Sequence, residues 1–201
     1  MTKEINIPKQ ARSMDKKKRI VEAGYALFAD NGYYNVSTAE IAKAAEVSTG
    51  SVYRYFQDKK DILAEVLNEY FDRTYGFVFT LIDKIKKPID FETLLRRMID
   101  AVIKVHRKNK AIHSVLHGMA HTDEEIKRRF KTMEDEMTDR IASRLTAEDY
   151  PADKINEKAH LALRCVEDFA HEYIYDAHEY ISYPEMKTLT VKMLKSLFET
   201  V

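Results

Sequence analysis

Apolar residues recur at spacings of three and four along most of the chain, which predicts amphipathic helices separated by short connections. The first helix is predicted over residues 14–30 and ends at Gly32, because glycine readily adopts the left-handed conformation that stops a helix. Ser37 with Glu40 three residues later forms a capping box, so a short second helix begins after Ser37. Ser48 can cap a third helix, which is also short.

Beyond residue 60 the predicted helices become longer. Asp58 and Asp90 are the expected caps of two of them, and capping boxes that begin at Thr122 and Ser182 open two more. Only five glycines and four prolines occur in the chain, too few for a fold with many tight turns. We therefore predict an all-α fold of about nine helices, in which three short N-terminal helices are followed by a larger helical domain.

One long helix, predicted over residues 152–181, has apolar residues on more than one side. Such a helix is either the central core helix of one chain or is shared between its own core and a second subunit. The last predicted helix is also strongly apolar, which favours an intersubunit four-helix bundle. The predicted interface residues are Leu163, Ala170, Ile174, Ile181, Met193 and Leu197.

The composition is that of a globular protein, since 45% of the 201 residues are hydrophobic and 33% are charged. Cys165 is the only cysteine, so neither an intrachain disulfide nor a zinc site built from several cysteines of one chain can form. No apolar run is long enough for a signal peptide or a membrane span. We expect a cytoplasmic protein that does not insert into a membrane.

The formal net charge is zero, but the charges are unevenly distributed. Residues 1–60 carry 11 Lys and Arg against 7 Asp and Glu, so the rest of the chain has a matching acidic excess. Residues 1–13 show no periodic pattern and form, with the start of the first helix, a basic arm. Such a run either contacts phosphate or is simply solvated.

Residues 37–63 include a small-residue helix, a tight turn and a second short helix, which is the pattern of a helix-turn-helix. Alanines let the two helices approach closely, and Val47 with Val52 fills the joint between them. The second helix exposes short or hydrogen-bonding groups together with one guanidinium, a suitable surface for the major groove of DNA. These groups belong to Thr49, Gly50, Ser51 and Arg54.

Over residues 15–65 the sequence closely resembles the TetR/AcrR family of bacterial and archaeal regulators. The matching motifs are Phe28-Ala29-x-x-Gly32-Tyr33, Thr38-x-x-Ile41-Ala42, Val47-Ser48-x-Gly50-x-Val52-Tyr53-x-Tyr55-Phe56 and Lys59-x-x-Ile62-Leu63. Beyond residue 65 the resemblance is architectural only. It implies a DNA-binding domain over residues 1–60 and a ligand-binding and dimerisation domain over residues 61–201.

The resemblance also implies roles for individual residues. Thr38, Tyr53, Tyr55 and Lys59 match phosphate contacts, whereas Thr49, Gly50, Ser51 and Arg54 match positions that contact bases. Arg54 could donate to both O6 and N7 of guanine. The alternatives are packing of half-buried tyrosines and, for Arg54, a solvated surface charge.

The turn of the helix-turn-helix departs from the family pattern. The family usually has glycine where this chain has Glu46, and a side chain at positive φ costs about 1 kcal/mol. A carboxylate beside a phosphate backbone would be repelled, so we expect this turn to face away from DNA.

Histidines and aromatic residues supply candidates for a ligand site. His113, His117 and His121 stand four apart, and two such residues on one helix can chelate a transition metal. The alternative, which we favour, is that they are partly buried or lie near helix ends. A pocket between the long helices would suit a lipophilic or aromatic molecule with one polar group. The candidate residues are Tyr75, Phe79, His113, His117, Phe169 and Tyr173.

Three functions remain open at this point. The leading hypothesis is a repressor that binds a pseudo-palindromic DNA operator as a homodimer and leaves it when a small effector changes the separation of its recognition helices. A second is a regulator controlled by another protein, and a third is a metal enzyme on a helical bundle. The enzyme has little support because HExxH, G-x-S-x-G and P-loop motifs are missing from the sequence. We expect no cofactor, no metal and no catalytic residue.

Overall fold

The structure is a computed structural model that describes residues 7–151 and 153–199. Predictions that involve residues 1–6, residue 152 or Val201 lie outside the described residues. Within the described ranges the chain forms helices and no strand, which confirms the all-α prediction. The helices are α1 (Ile7–Asn31), α2 (Thr38–Ala44), α3 (Thr49–Val52), α4 (Lys59–Asp83), α5 (Phe91–Lys108), α6 (Lys110–Ala120), α7 (Glu124–Ala147), α8 (Ile155–Tyr175) and α9 (Tyr183–Phe198).

The chain divides into two compact units. The first unit contains the described residues up to Tyr70 together with Ala111–Ile126. The second contains Phe71–Lys110 and the described residues from Lys127 onward. Helix α4 continues without interruption through residue 60, the proposed domain boundary, and its residues up to Tyr70 pack in the first unit.

The first unit is built as the local signals predict. Ser37 Oγ accepts a hydrogen bond from Glu40 N at 3.2 Å, and Glu40 Oε2 accepts one from Ser37 N at 2.7 Å, which completes the capping box. Ser48 caps α3 by accepting from Ser51 N. Close packing adds a constraint, because a Cβ on Gly24 would lie 2.9 Å from Ile62 Cγ2. The buried side chains of this unit include Ile20, Phe28, Ile41, Val52, Ile62, Leu63 and Val66.

Helix α1 is longer than the periodic pattern predicts. It begins at Ile7 rather than near residue 14, so the expectation of a patternless arm over residues 1–13 is wrong for residues 7–13. The sequence does not oppose this start, because Pro8 falls in the first turn, where its missing N–H costs no helical hydrogen bond.

In the second unit α5 packs against α8 and α9. Asp90 caps α5 by accepting from Thr93 N at 3.1 Å, as predicted. Ser182 is the N-cap residue of α9, but its side chain makes no capping hydrogen bond, so the predicted capping box is wrong. Pro184 lies in the first turn and lacks one of the N–H groups that a cap would satisfy.

The cap predicted at Thr122 is also wrong by one residue. Asp123 Oδ1 accepts from Glu125 N and Ile126 N at 2.9 and 3.2 Å, whereas the Thr122 hydroxyl donates to the Met119 carbonyl. The carboxylate is the stronger acceptor for the positive end of a helix, which explains the choice between the two neighbours.

Helix α8 is shorter than the predicted helix over residues 152–181. Lys154 precedes it in the left-handed conformation with φ 52°, and Asp176 follows its last residue. Both apolar sides of its first four turns are buried within the chain, so this part is a core helix. Of the predicted interface residues, Leu163 is 2% exposed and Ala170 is 0% exposed, which leaves neither available at the surface of one chain.

Candidate nucleic-acid interface

The hydroxyl groups of two tyrosines predicted to contact phosphate form hydrogen bonds with hydroxyl groups on neighbouring helices. Thr38, the first residue of α2, has its Oγ1 3.1 Å from Tyr53 Oη. Tyr55 Oη lies 3.1 Å from Ser13 Oγ of α1. Tyr53 is 55% exposed, which excludes the alternative that it packs as a half-buried aromatic ring. The two pairs place four hydroxyl groups at surface positions, where such groups could donate to phosphate.

Helix α3 presents its predicted base-contacting residues unequally. Thr49, Gly50 and Arg54 are exposed, and Arg54 follows α3 in the turn after its C-cap. Ser51 is half-buried, and its Oγ lies 2.8 Å from the Oγ of the cap residue Ser48. The hydroxyl of Ser51 is therefore used within the helix, and the other three residues form the accessible face.

Gly50 has no visible role in the fold. A Cβ at this position would meet nothing within 4 Å, and its φ does not lie in the left-handed range. This contrasts with Gly24, which close packing requires, and with Gly32, which has φ +77° at the end of α1. A glycine that the isolated chain does not need is consistent with close approach of another molecule.

The turn between α2 and α3 contains the expected positive φ, since Glu46 has φ 54°. Arg19 of α1 reaches this turn and donates from Nη1 to the Ala45 carbonyl at 3.0 Å. The same nitrogen lies 3.9 Å from Glu46 Oε2, within reach of an ion pair. The contact between Arg19 and this turn was not predicted from the sequence. The only signal for it is that Arg19 belongs to the basic run at the start of the first helix.

Lys59 has a structural role that the sequence does not reveal. Its Nζ donates to the carbonyls of Tyr33 and Val36 at 2.8 and 2.7 Å and lies 4.3 Å from the centroid of the Tyr33 ring. Burial lowers the pKa of Lys59, and Glu40 partly opposes that shift. The ammonium group thus ties the α1–α2 connection to the start of α4.

Comparisons with known proteins match both parts of the chain. A family model described as bacterial regulatory proteins, tetR family, matches residues 20–66. A second, described as a tetracyclin repressor-like C-terminal domain, matches residues 90–173. The chain belongs to the TetR/AcrR family. The family assignment made from the motifs over residues 15–65 is confirmed.

Individual relatives match over shorter stretches. The HTH-type regulator YuxN of Bacillus subtilis is 38% identical over 74 residues, 37% of this chain and 25% of YuxN. The HTH-type transcriptional repressor KstR of Mycolicibacterium smegmatis is 36% identical over 59 residues, 29% of each protein. The chain thus spans about a quarter of the length of these two curated relatives.

A solved structure supports the fold over nearly the whole chain. A TetR-family transcriptional regulator from Mesorhizobium loti has a TM-score of 0.74 at 20% sequence identity, with 92% of this chain and 96% of that chain covered. At this identity the likeness concerns the fold: an N-terminal helix-turn-helix domain and a C-terminal helical domain.

The six residues predicted to bind ligand lie in different places. In the second unit, Tyr75 is buried beside Phe71, and Phe79 lies 4.6 Å beneath the Arg140 guanidinium. Phe169 and Tyr173 share one side of α8, with ring centroids 6.5 Å apart. The two histidines, His113 and His117, belong to the first unit.

His113 and His117 come together in the first unit, with ring centroids 3.9 Å apart. His113 is buried, and its Nδ1 lies 2.7 Å from Tyr70 Oη, so this histidine has a core role. His121 lies in the turn after α6, as predicted. The described residues hold no group of three or more His, Cys, Asp or Glu side chains that could bind a metal ion.

The remaining predicted interface residues are more accessible. Ile174, Ile181 and Leu197 are half-buried, and Met193 is 53% exposed. Ile181 lies in the connection after α8 rather than on the helix. Within residues 7–151 and 153–199, no helix has both the length and the apolar character needed to cross a bilayer.

Proposed function

We propose that the chain is a transcriptional repressor that binds a pseudo-palindromic DNA operator as a homodimer and is released by a small effector. The observation that carries this proposal is the accessible face formed by α3 and the turn after it, where Thr49, Gly50 and Arg54 are exposed. Packing does not require the glycine, since a Cβ at Gly50 would meet nothing within 4 Å. Regulators of this family bind DNA operators and act as dimers. The relative KstR is a transcriptional repressor.

Phosphate and base contacts are assigned to separate groups. Thr38 at the start of α2 offers a hydroxyl to a phosphate, and Tyr53 and Tyr55 supply two further hydroxyls. Arg54 enters the major groove with Thr49 and provides base discrimination. Gly50 allows the backbone of α3 to approach the DNA without steric hindrance.

The dimer is proposed to form through an exposed apolar stripe on α9. Leu189 is 66% exposed and Met193 is 53% exposed, and the half-buried Met186 and Leu197 continue the stripe at helical spacing. On α8, Leu161 is 49% exposed. A two-fold axis would pair these faces with their own copies and bury the methionines and leucines together.

Release by an effector follows from linkage. A molecule that binds the free protein more tightly than the DNA-bound protein weakens DNA binding by the same factor. The effector is proposed to be lipophilic or aromatic, bind in the second unit and act from the cytoplasm. No cofactor or catalytic step is part of this mechanism.

Selection from a random duplex library tests the proposal directly. Purified full-length protein is mixed with the library at about 150 mM salt, where weak electrostatic binding is suppressed. We expect an inverted repeat to be enriched. A matched selection with Thr132→Glu, an exposed position on α7, controls for handling and should give the same repeat. Failure of every sequence to enrich would contradict the proposal.

Control by a protein partner is a second candidate, favoured by one observation. The apolar cavity inside the second unit, lined by Met98, Leu163 and Val166 among others, has a volume of only about 30 Å³. That is space for about one water molecule rather than for an effector. A screen for compounds that raise the unfolding temperature separates the two candidate mechanisms. A stabilising compound would favour control by a small effector, whereas the absence of any stabilising compound would favour control by a protein partner.

A further inference from the structure

A groove on the second unit lies outside the apolar core and between three helices. Its volume is about 640 Å³, within the range of small-molecule sites. It is formed by α5, α8 and the start of α9. The residues that line it are Asp100, Ile103, Lys104, Arg107, Phe169, Tyr173, Tyr183, Pro184 and Lys187.

Three aromatic rings form two walls of this groove. Phe169 and Tyr173 lie one turn apart on α8 and are nearly parallel, with 20° between their planes. Tyr183 at the start of α9 stands at 81° to Phe169 and 61° to Tyr173, with centroids 6.3 and 5.1 Å away. The rings therefore make a corner, in which a planar molecule can place its face on one wall and its edge against the other.

The corner is held in place by polar contacts on its outer side. Tyr183 Oη donates to Glu172 Oε1 at 3.1 Å and accepts from His178 N at 2.9 Å. These two bonds fix the Tyr183 ring against α8 and hold the connection that precedes α9. A wall that is ordered before a ligand arrives loses less entropy on binding.

The opposite side of the groove is a single charged stripe of α5. Asp100, Ile103, Lys104 and Arg107 are spaced three, four and seven residues apart and so share one face of that helix. Asp100 is neutralised by Lys187 of α9, since Oδ1 and Nζ are 2.6 Å apart. Lys104 and Arg107 are exposed and have no acidic partner among the described residues, which leaves two uncompensated positive charges.

We propose that this groove binds a planar aromatic anion, such as an aromatic carboxylate or sulfonate. The ring system stacks in the corner of Phe169, Tyr173 and Tyr183, and the anionic group pairs with Lys104 and Arg107. Arg107 can donate two parallel hydrogen bonds to one carboxylate, which orients the head group. The binding site stands on its own geometry; its role as the effector site rests on the proposed function.

The test uses a matched pair of fluorescent molecules and the full-length protein. Anilinonaphthalenesulfonate carries its anionic group on a planar naphthalene ring, and phenylnaphthylamine has the same rings without the charge. Titrations should show one sulfonate bound per chain. Arg107→Gln should weaken sulfonate binding by about tenfold and leave the neutral molecule within about twofold, because only a charge-assisted hydrogen bond is lost.

Two further variants separate the groove from other binding surfaces. Lys108→Gln removes the neighbouring exposed charge outside the groove and should leave both affinities unchanged. Tyr173→Leu removes a ring from the wall and should weaken both molecules. Equal effects of Arg107→Gln and Lys108→Gln on the sulfonate, or a Tyr173→Leu variant that binds both molecules normally, would overturn the proposal.

The operator selection is performed without either molecule, so the two proposals fail separately. An absence of enriched DNA would contradict the proposed repressor and leave the groove measurement unaffected. If the sulfonate binds as expected but does not weaken operator binding by the wild-type protein, the groove is a binding site and its assignment as the effector site is overturned.

Discussion

The α2–α3 segment of the first unit and the α8–α9 segment of the second unit expose different kinds of surface. The first presents hydroxyl groups, the Arg54 guanidinium and an unhindered Gly50. The second presents Leu161, Leu189 and Met193. Hydrated polar groups suit a charged partner that must dissociate, whereas an apolar stripe suits an association that persists.

The two regions also differ in what the surface residues contribute to the isolated chain. On α3 the accessible residues can be changed without disturbing a core, because the core contact is made by Val52 and the helix is capped by Ser48. On α9 the exposed stripe alternates with buried residues such as Val191 and Leu194. Function and folding can therefore be separated by substitution in both regions.

The largest effect is expected from charge on the α9 stripe. The double variant Leu189→Glu with Met193→Glu would place like charges opposite each other across a two-fold axis, at a cost of several kcal/mol. Sedimentation should show monomers at concentrations where the wild-type protein is dimeric, and operator affinity should fall more than about 100-fold. Thr132→Glu supplies the matched control. A double variant that stays dimeric would place the interface elsewhere.

A smaller effect on DNA binding is expected from Gly50→Ala. The added methyl group meets nothing in the free chain, so the unfolding midpoint should not fall. The free energy of operator binding should become less favourable by about 1–3 kcal/mol, the cost of one mismatched base pair, because the methyl group intrudes between α3 and the DNA. Fluorescence anisotropy measures the affinity, and Gly118→Ala, where a Cβ also meets nothing, is the control. Unchanged affinity for Gly50→Ala would remove the first turn of α3 from the interface.

The same substitution at Gly24 should affect folding instead. Its Cβ would lie 2.9 Å from Ile62 Cγ2, so Gly24→Ala should lower the free energy of unfolding by about 1–3 kcal/mol through overpacking. A Cβ at Gly76 in α4 would meet nothing within 4 Å. Gly76→Ala should therefore raise the free energy of unfolding by about 0.5–1 kcal/mol, because alanine has the higher helix propensity. Urea unfolding monitored by circular dichroism compares them, and equal changes of one sign would show that α1 and α4 pack less tightly than described.

The smallest effect concerns the capping box of α2. Hydrogen bonds from Ser37 lower the pKa of Glu40 below its ordinary value of 4.5. The box therefore stabilises α2 at pH values above 4.5, and this contribution is lost as the pH falls through the lowered pKa. Glu40→Gln can still form the box but cannot titrate, so its urea midpoint should depend less on pH in this window. If the urea midpoints of the wild-type protein and Glu40→Gln depended on pH in the same way, the claim that Glu40 titrates within the capping box would be refuted.

Local signals explain why the helix-turn-helix could be predicted from sequence. Ser37, Glu40 and Ser48 satisfy backbone groups within three residues of themselves, so their caps do not depend on distant packing. The positive φ of Glu46 likewise follows from a turn of fixed length. The prediction of a cap at Thr122 was wrong because the adjacent Asp123 is a stronger hydrogen-bond acceptor and caps the helix instead.

Features that depend on distant residues were not predicted. Near the end of α8, the Tyr183 hydroxyl donates to Glu172 and accepts from the His178 N–H, contacts that no local pattern indicates. Leu163 and Ala170 are apolar on a second side of α8, but spacing alone could not show that they are buried within the same chain, in which α8 packs against α5 and α9. The structural role of Lys59 was not predicted, because its two carbonyl partners lie more than twenty residues away in the sequence.

The affinity ratio between the selected operator and a shuffled duplex tests the central claim most directly. Both duplexes have the same composition and are titrated with full-length protein at about 150 mM salt, so phosphate contacts contribute equally. A sequence-specific repressor should bind the inverted repeat at least about 1,000-fold more tightly than the shuffled duplex. Affinities within about tenfold of each other would contradict the claim that the α2–α3 face reads a DNA sequence.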